Sequence, residues 1–199
     1  MNPIKVLLLP GWLDSDPDHW QSRWGRLHGY ERVVQHDWEH PLRGDWITRL
    51  EEVVLAQPPD QAIVLAAHSL GCHLVAAWAA VSRSAPRVHG ALLVAPPDVS
   101  REDFPAQMHS WRQPVLSALP MAATCVVSRN DPFSSAQAGR ALAQAWGARC
   151  VQAGPLGHIN AASHIADWPQ GHALLLDLVA QATPSPANPC RPGIATPTP

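Results

Sequence analysis

Twenty residues from Gln61 to Ala80, QAIVLAAHSLGCHLVAAWAA, join a strand-like run directly to a helix-like run and constrain the fold more than any other part of the chain. Residues 62–67 are continuously apolar and have the length of a strand buried on both faces. Residues 71–81 are rich in small apolar side chains, which predicts a buried helix. Only His68, Ser69 and Leu70 separate the two runs, so the turn between them is tight and lies at the carboxyl edge of a sheet.

This turn is typical of a serine nucleophile on a strained elbow. The residues two before and two after the serine are Ala67 and Gly71, and both are small, as a close approach of strand and helix requires. The sequence A-H-S-L-G differs at one position from the G-x-S-x-G signature. The helix would also direct its free N–H groups and positive dipole end at the group that Ser69 attacks. The structural alternative is a serine that only caps a helix.

Strand-like and helix-like segments alternate along the chain, which predicts an α/β fold with three layers. Such an alternation implies a mostly parallel sheet of about six strands with helices on both faces. The predicted strands are 4–9, 32–38, 62–67, 88–95, 124–128 and 149–153, and the predicted helices are 18–27, 45–55, 71–81, 135–146 and 168–181. Ligands of such sheets bind where the strand order reverses, and we expect the loops after the first and third strands to meet there.

One domain over residues 1–182 accounts for most of the 199 residues. The remaining segment, 183–199, is rich in proline with almost no large apolar residue, which predicts a disordered tail. About thirty residues separate the fourth and fifth strands, and we expect them to include a helix. They leave little room for a separate lid, so we expect a shallow, open site.

Charge and cysteine content exclude several classes of function. The net charge is −2 and 15% of the residues are charged, so we expect neither nucleic acid nor membrane as a partner. The four cysteines form no CxxC pair, which is typical of reduced thiols in a cytoplasmic protein. The eleven histidines follow no ligand spacing, and we therefore predict no metal and no cofactor.

A serine nucleophile needs a base and an acid, and two later loops offer them. His158 ends the glycine-rich loop after the sixth strand, and Asp131 follows the fifth strand in Asn-Asp-Pro. The order Ser69, Asp131, His158 is that of the α/β-hydrolase arrangement. Asp98, at the end of the fourth strand, is the alternative acid, and His164 is a weaker alternative base.

Six short motifs in order resemble the small serine hydrolases grouped with retinoblastoma-binding protein 9. They are L-P-G-W at 9–12, D-H-W at 18–20 with a further tryptophan at 24, D-W at 37–38, A-H-S-L-G-C at 67–72, N-D-P-F at 130–133 and G-H-I-N at 157–160. The resemblance spans the chain from Ile4 to the last predicted helix. It implies an α/β-hydrolase fold without a cap domain, and it puts the nucleophile, acid and base on Ser69, Asp131 and His158.

The predicted reaction is hydrolysis of a small ester, or of an amide, through an acyl-enzyme. We expect the backbone N–H groups of Trp12 and Leu70 to form the oxyanion hole, since Gly11 permits a close approach of the first loop. Substrate would contact Trp12, Leu70, Pro96 and Phe133.

Two other functions are compatible with the sequence. One is a non-catalytic interaction module that uses its surface or its proline-rich tail to bind a protein, whose identity the sequence leaves open. The other is an acyl transferase or thioesterase on the same fold. An intact set of serine, histidine and aspartate favours an enzyme over the interaction module.

Overall fold

The structure is a computed structural model, and it describes residues 4–182. Six strands form one sheet in which each neighbouring pair is parallel, in the order β2-β1-β3-β4-β5-β6. The strands are β1 (Lys5–Leu9), β2 (Glu31–Arg32), β3 (Ile63–His68), β4 (Val88–Val94), β5 (Ala122–Val127) and β6 (Arg149–Gln152). The predicted parallel α/β fold is confirmed.

Five helices cover the two faces of the sheet. They are α1 (Trp20–His28), α2 (Arg43–Ala56), α3 (Leu70–Ala79), α4 (Ala136–Ala145) and α5 (Pro169–Ala182). On one face α2, α3 and α4 pack in one apolar core, and on the other α1 and α5 pack in a second. Successive residues of β1 point to opposite cores, Leu7 and Leu9 to the first and Val6 and Leu8 to the second. This alternation explains why the central strands are apolar throughout.

The strand order reverses between β1 and β3, which lie side by side. Their register pairs Leu9 with Ala67, so both strands end at the same edge of the sheet. The loop after β1 and the turn after β3 therefore meet, as predicted from the alternation of elements.

Two elements differ from the sequence predictions. β2 has only two residues. The N–H of Val33 still donates to the carbonyl of Leu8 on β1, but the chain then leaves the sheet, and Trp38 packs against Trp46. The expected helix between β4 and β5 is a 3₁₀ segment, Ala106–Trp111. Prolines at 96, 97, 105, 114 and 120 interrupt this stretch, and each lacks the N–H that a longer helix would use.

Among residues 4–182, no separate cap domain lies over the sheet, and no helix is long and apolar enough to cross a membrane. The predicted tail, 183–199, lies outside the described residues.

Candidate active site

Ser69 lies at the tight turn between β3 and α3 in a backbone conformation that non-glycine residues rarely adopt. Its φ is +53° and its ψ is −123°. Its N–H donates to the carbonyl of Val94 on β4, at 2.9 Å, which holds the turn against the sheet. Such strain persists only where the surrounding structure imposes it, and it is typical of functional residues. The elbow predicted from the sequence is therefore present.

Two glycines permit the close contact between this elbow and the end of β1. A Cβ on Gly71 would lie 2.3 Å from the carbonyl oxygen of Leu9, and a Cβ on Gly11 would lie 2.7 Å from Cβ of Ser69. Neither distance is compatible with a side chain. Gly11 therefore lies directly against Ser69, and Trp12 is the next residue in the chain.

The side chains of Ser69, His158 and Asp131 form one connected hydrogen-bonded chain. The hydroxyl of Ser69 donates to Nε2 of His158 at 2.9 Å. Nδ1 of His158 donates to the carboxylate of Asp131, at 3.0 Å to Oδ1 and 2.9 Å to Oδ2. The Asp131 side chain is 2% exposed and the His158 side chain 9%, so water has little access to either group.

The loops that carry the histidine and the aspartate are hydrogen-bonded to each other. Oδ1 of Asn130, next to Asp131, accepts from the N–H of Gly157 at 2.8 Å. The hydroxyl oxygen of Ser128, at the end of β5, accepts from the N–H of Leu156 at 3.0 Å. These contacts fix the spacing between carboxylate and imidazole.

Two further contacts hold the histidine loop from the other side. Nε2 of His68 donates to the backbone carbonyl of His158 at 2.9 Å, and the two rings lie 4.9 Å apart. The indole of Trp20 donates to the carbonyl of Ile159, also at 2.9 Å. Neither residue is assigned to the site from its sequence position, because a contact with a backbone carbonyl leaves no motif.

Among the described residues, no hydrogen bond joins the alternative acid or the alternative base to Ser69 or His158. The carboxylate of Asp98 accepts from the N–H and the hydroxyl of Ser100, so it stabilises the turn in which it lies and is not bonded to His158. His164 is exposed, beyond the loop that carries His158.

A cavity of about 470 Å³ opens beside Ser69 and His158. Its walls include the predicted residues Trp12, Leu70 and Phe133, and the segment between β4 and β5 contributes Phe104 and Met108. That segment therefore contributes to the wall of the cavity. Trp12 is held by its indole, which donates to the carbonyl of Glu39 at 2.9 Å.

Pro96 does not line this cavity, contrary to the sequence prediction, and the adjacent Pro97 does. The chain turns sharply after β4, where Ala95 has a φ of +50°. Pro96 is buried and faces the small space between β5 and α4 with Val127 and Ser134. The sequence identified the loop but not which of the two adjacent prolines would line the cavity.

Comparison with known proteins agrees with the fold. A family model described as serine hydrolase matches residues 6–177. The chain belongs to the serine hydrolase family. No curated protein sequence matches this serine hydrolase.

Solved structures share the fold of this serine hydrolase. A protein described as a YdeN-like hydrolase, from Pectobacterium atrosepticum, is 28% identical, with a TM-score of 0.76 over 92% of this chain and 94% of that one. The ydeN gene product of B. subtilis is 17% identical, with a TM-score of 0.71 over 89% and 99% of the two chains. An esterase from a Rhodococcus species, RhEst1, is 12% identical, with a TM-score of 0.67 over 91% and 92%.

A third buried histidine, His19, lines the cavity of this serine hydrolase together with His68 and His158, and was not singled out from the sequence. It lies at the N-terminus of α1, where its Nδ1 accepts from the N–H of Gln21 at 3.1 Å. Burial lowers the pKa of His19 to about 4, against a smaller opposite effect of Asp16. Burial also holds the pKa of His68 well below its usual value. Both imidazoles are therefore neutral near pH 7.

Within residues 4–182, no group of three or more histidine, cysteine or carboxylate side chains is arranged to hold a metal ion.

Proposed function

We propose that this protein is a serine esterase that hydrolyses small carboxylic esters through an acyl-enzyme. The observation that carries the proposal is the hydrogen-bonded chain from Ser69 through His158 to Asp131 at the wall of an open cavity. A serine hydroxyl is a weak nucleophile until a base takes its proton, and this chain supplies one.

In the first step, the hydroxyl of Ser69 attacks the ester carbonyl while Nε2 of His158 takes its proton. Asp131 holds Nδ1–H of His158 and stabilises the imidazolium as it forms. The tetrahedral intermediate then collapses, His158 returns the proton to the leaving alcohol, and the acyl group stays on Ser69. Water, activated by His158, releases the acid in the second half of the reaction.

The oxyanion of the intermediate would accept from the backbone N–H groups of Leu70 and Trp12. Leu70 is the first residue of α3, so its N–H has no acceptor within the helix. Trp12 follows Gly11, whose backbone lies against Ser69. Each such donor is worth on the order of 3 kcal/mol of transition-state stabilisation.

The cavity wall favours a short apolar group on the substrate. Trp12, Phe104 and Met108 supply apolar surface, and Phe133, which is 51% exposed, packs its ring against that of His158. A volume of about 470 Å³ accommodates a small ester rather than a long lipid chain. Small amides are the second substrate class that we propose.

Within the serine hydrolase family, we place the chain with the retinoblastoma-binding protein 9 type. The support is the six ordered motifs between Leu9 and Asn160. A cytoplasmic location is proposed from the cysteines, since Cys72, Cys125 and Cys150 are free thiols.

A serine-directed fluorophosphonate probe tests the nucleophile. We expect the native protein to be labelled, Ser69→Ala to lose the label and His158→Ala to react far more slowly. Ser100→Ala is the matched control, because this exposed serine is bonded to Asp98 rather than to a histidine. Equal labelling of native protein and Ser69→Ala would refute the assignment of the nucleophile, and absence of labelling in both would favour an interaction module.

An ester panel with an added alcohol acceptor distinguishes hydrolysis from acyl transfer. We expect free acid as the main product, and a dominant transfer product would indicate a transferase.

A further inference from the structure

The ten residues that follow His158, residues 159–168, are rich in left-handed backbone, and we call them the strap. Of the eight non-glycine residues with a positive φ among residues 4–182, four lie in the strap. They are Ile159 at +49°, His164 at +50°, Ala166 at +51° and Trp168 at +43°. This conformation brings the Cβ of an L-residue close to a carbonyl oxygen, so it persists only where the surrounding structure imposes it.

One face of α1 binds both ends of the strap. The indole of Trp20 donates to the carbonyl of Ile159 at 2.9 Å. The indole of Trp24 donates to the carbonyl of Asp167 at 2.6 Å. Nε of Arg23 donates to the carboxylate of the same Asp167. Positions 20, 23 and 24 are three and four residues apart, so these side chains share one face of the helix.

Aromatic packing at the far end of the strap adds to these bonds. Trp168 is 4% exposed, and its ring lies nearly parallel to that of Trp24, with the centroids 6.1 Å apart. The centroid of Trp20 lies 5.3 Å from that of Trp168. The last residue of the strap is therefore packed against α1, through the two tryptophans of the motif at 18–24 that the proposed reaction does not otherwise use.

Arg23 and Trp24 have no contact with the place where substrate would bind. The wall of the cavity beside Ser69 includes neither residue. An effect of either one on the reaction would therefore pass through the strap to His158, the residue directly before it. A displacement of about 1 Å in a catalytic group can lower a rate about a hundredfold, so even a small movement of the strap would be measurable.

We propose that Arg23 and Trp24 are positioning residues, which hold the left-handed strap on α1 and thereby keep Nε2 of His158 within hydrogen-bond distance of Ser69. Without these two side chains the strap relaxes from its left-handed conformation, and His158 moves with it. The inference rests on the proposed function, because the position of His158 is measured as turnover.

Two substitutions in α1 remove the bonds to Asp167. Arg23→Met removes the guanidinium and keeps an apolar stem. Trp24→Phe removes the indole N–H and keeps an aromatic ring against Trp168. The Arg23 side chain is 32% exposed, so we expect Arg23→Met to fold even if the substitution of the buried Trp24 disturbs folding.

Steady-state hydrolysis of p-nitrophenyl acetate measures the effect. Dividing kcat by the number of serines that a fluorophosphonate probe labels at completion removes any loss of folded protein. We expect kcat per labelled serine to fall about tenfold in Arg23→Met and in Trp24→Phe, with less than about a threefold change in KM, because the cavity wall is unaltered. Arg26→Met is the matched control and should retain the native kcat, since Arg26 is exposed on the same helix and bonds the carbonyl of Pro17.

Glycine at position 166 tests whether α1 opposes backbone strain. Ala166 is exposed, and glycine adopts its φ of +51° without the steric cost. We therefore expect Ala166→Gly, added to Arg23→Met, to raise kcat per labelled serine by about threefold or more. Ala162→Gly is the matched control and should raise it little, since Ala162 is also exposed in the strap but has no positive φ.

Three results would overturn the proposal. The first is an unchanged kcat per labelled serine in both α1 variants. The second is an equal loss in Arg26→Met, which would show that the bonds to the strap are not responsible. The third is an equal recovery with Ala162→Gly, which would show that α1 does not act against the strain.

Amide hydrogen exchange separates this inference from the proposed function, because it needs no turnover. The N–H groups of Ser163, His164 and Trp168 are hydrogen-bonded within the strap. We expect them to exchange faster in Arg23→Met than in the native protein, and more slowly again once Ala166→Gly is added. If the native protein hydrolyses no ester but exchange responds in this way, the esterase proposal fails and the hold of α1 on the strap stands. If esters are hydrolysed and kcat does not respond, the positioning role fails alone.

Discussion

The imidazole of His68 donates a hydrogen bond to the backbone carbonyl of His158, 90 positions further along the chain. His68 is the residue directly before Ser69, so the end of β3 carries the serine and also holds the loop of His158. The contact therefore ties the position of the His158 loop relative to Ser69 to the end of β3.

Replacing His68 tests this positioning role. We expect His68→Phe to lower kcat by about tenfold or more with little change in KM, because the His158 loop loses an anchor while the cavity keeps its shape. His68→Gln supplies a new donor and is expected to recover most of the activity. Steady-state kinetics checks both, with melting temperatures measured in parallel. If the two variants are equally impaired, the loss of activity does not come from the hydrogen bond, and the positioning role is refuted.

The carboxylates Asp131 and Asp98 are expected to respond very differently to amidation. Asp131→Asn leaves His158 without an acceptor for Nδ1–H, and a loss of about 10³–10⁴ in kcat follows from the same change in other triads. Asp98→Asn is the matched control, with an expected change of less than about threefold. Ester hydrolysis at saturating substrate provides the measurement. A large loss confined to Asp98→Asn would reverse the assignment of the acid.

The elbow depends on a glycine that leaves no space for a methyl group. In Gly71→Ala the new Cβ would approach the carbonyl oxygen of Leu9 to 2.3 Å. We expect a destabilisation of about 2 kcal/mol or more, with loss of labelling at Ser69. Urea unfolding gives the free energy, and probe labelling reports on the serine.

Gly44→Ala, in the first turn of α2, is the control for this change. Nothing lies within 4 Å of the added Cβ, so the substitution is expected to stabilise the protein by about 0.5–1 kcal/mol. Equal stability of the two variants would contradict the close contact at the elbow.

Stability is expected to fall in mild acid because buried histidines are neutral in the folded state. Burial lowers the pKa of His73 to about 4, whereas an unfolded chain has a value near 6.5. Unfolded chains therefore bind the extra proton first, and the stabilisation present above pH 6.5 is lost as the pH falls toward 4. At pH 5 the loss is about 2 kcal/mol for this one group.

His73→Gln removes that titration and keeps a donor for the carbonyl of Pro97, which Nε2 of His73 contacts at 2.8 Å. We expect a smaller slope of unfolding free energy against pH between 7 and 5. The exposed His89 is the control, and His89→Gln should retain the native slope. Urea titrations at several pH values measure these slopes, and identical slopes for all three proteins would refute the linkage.

The sequence predicted those parts of the molecule that depend on local patterns. Apolar runs located the central strands, and the small residues around Ser69 indicated the elbow. The placement of Asp131 and His158 followed from a general property of parallel sheets, whose carboxyl ends share one edge.

Features that depend on packing between distant segments could not be predicted. Pro97 rather than Pro96 lines the cavity because the chain turns at Ala95, whose positive φ no motif encodes. His19 looked like one of several scattered histidines, since its position in the cavity depends on how α1 packs on the sheet. The 3₁₀ segment between β4 and β5 could not be told from an α-helix, because the connection between these strands is long enough to hold either.

The long chain separation of the reacting groups has a consequence for biosynthesis. In the folded protein, the loop that carries His158 follows β6 and is also held by Trp20 of the first helix, through the carbonyl of Ile159. A nascent chain that ends before β6 lacks His158 altogether, so we expect its Ser69 to be an unreactive alcohol. Under the proposed function, a covalent probe would therefore count only those molecules in a mixed population that contain His158 and have placed it beside the serine.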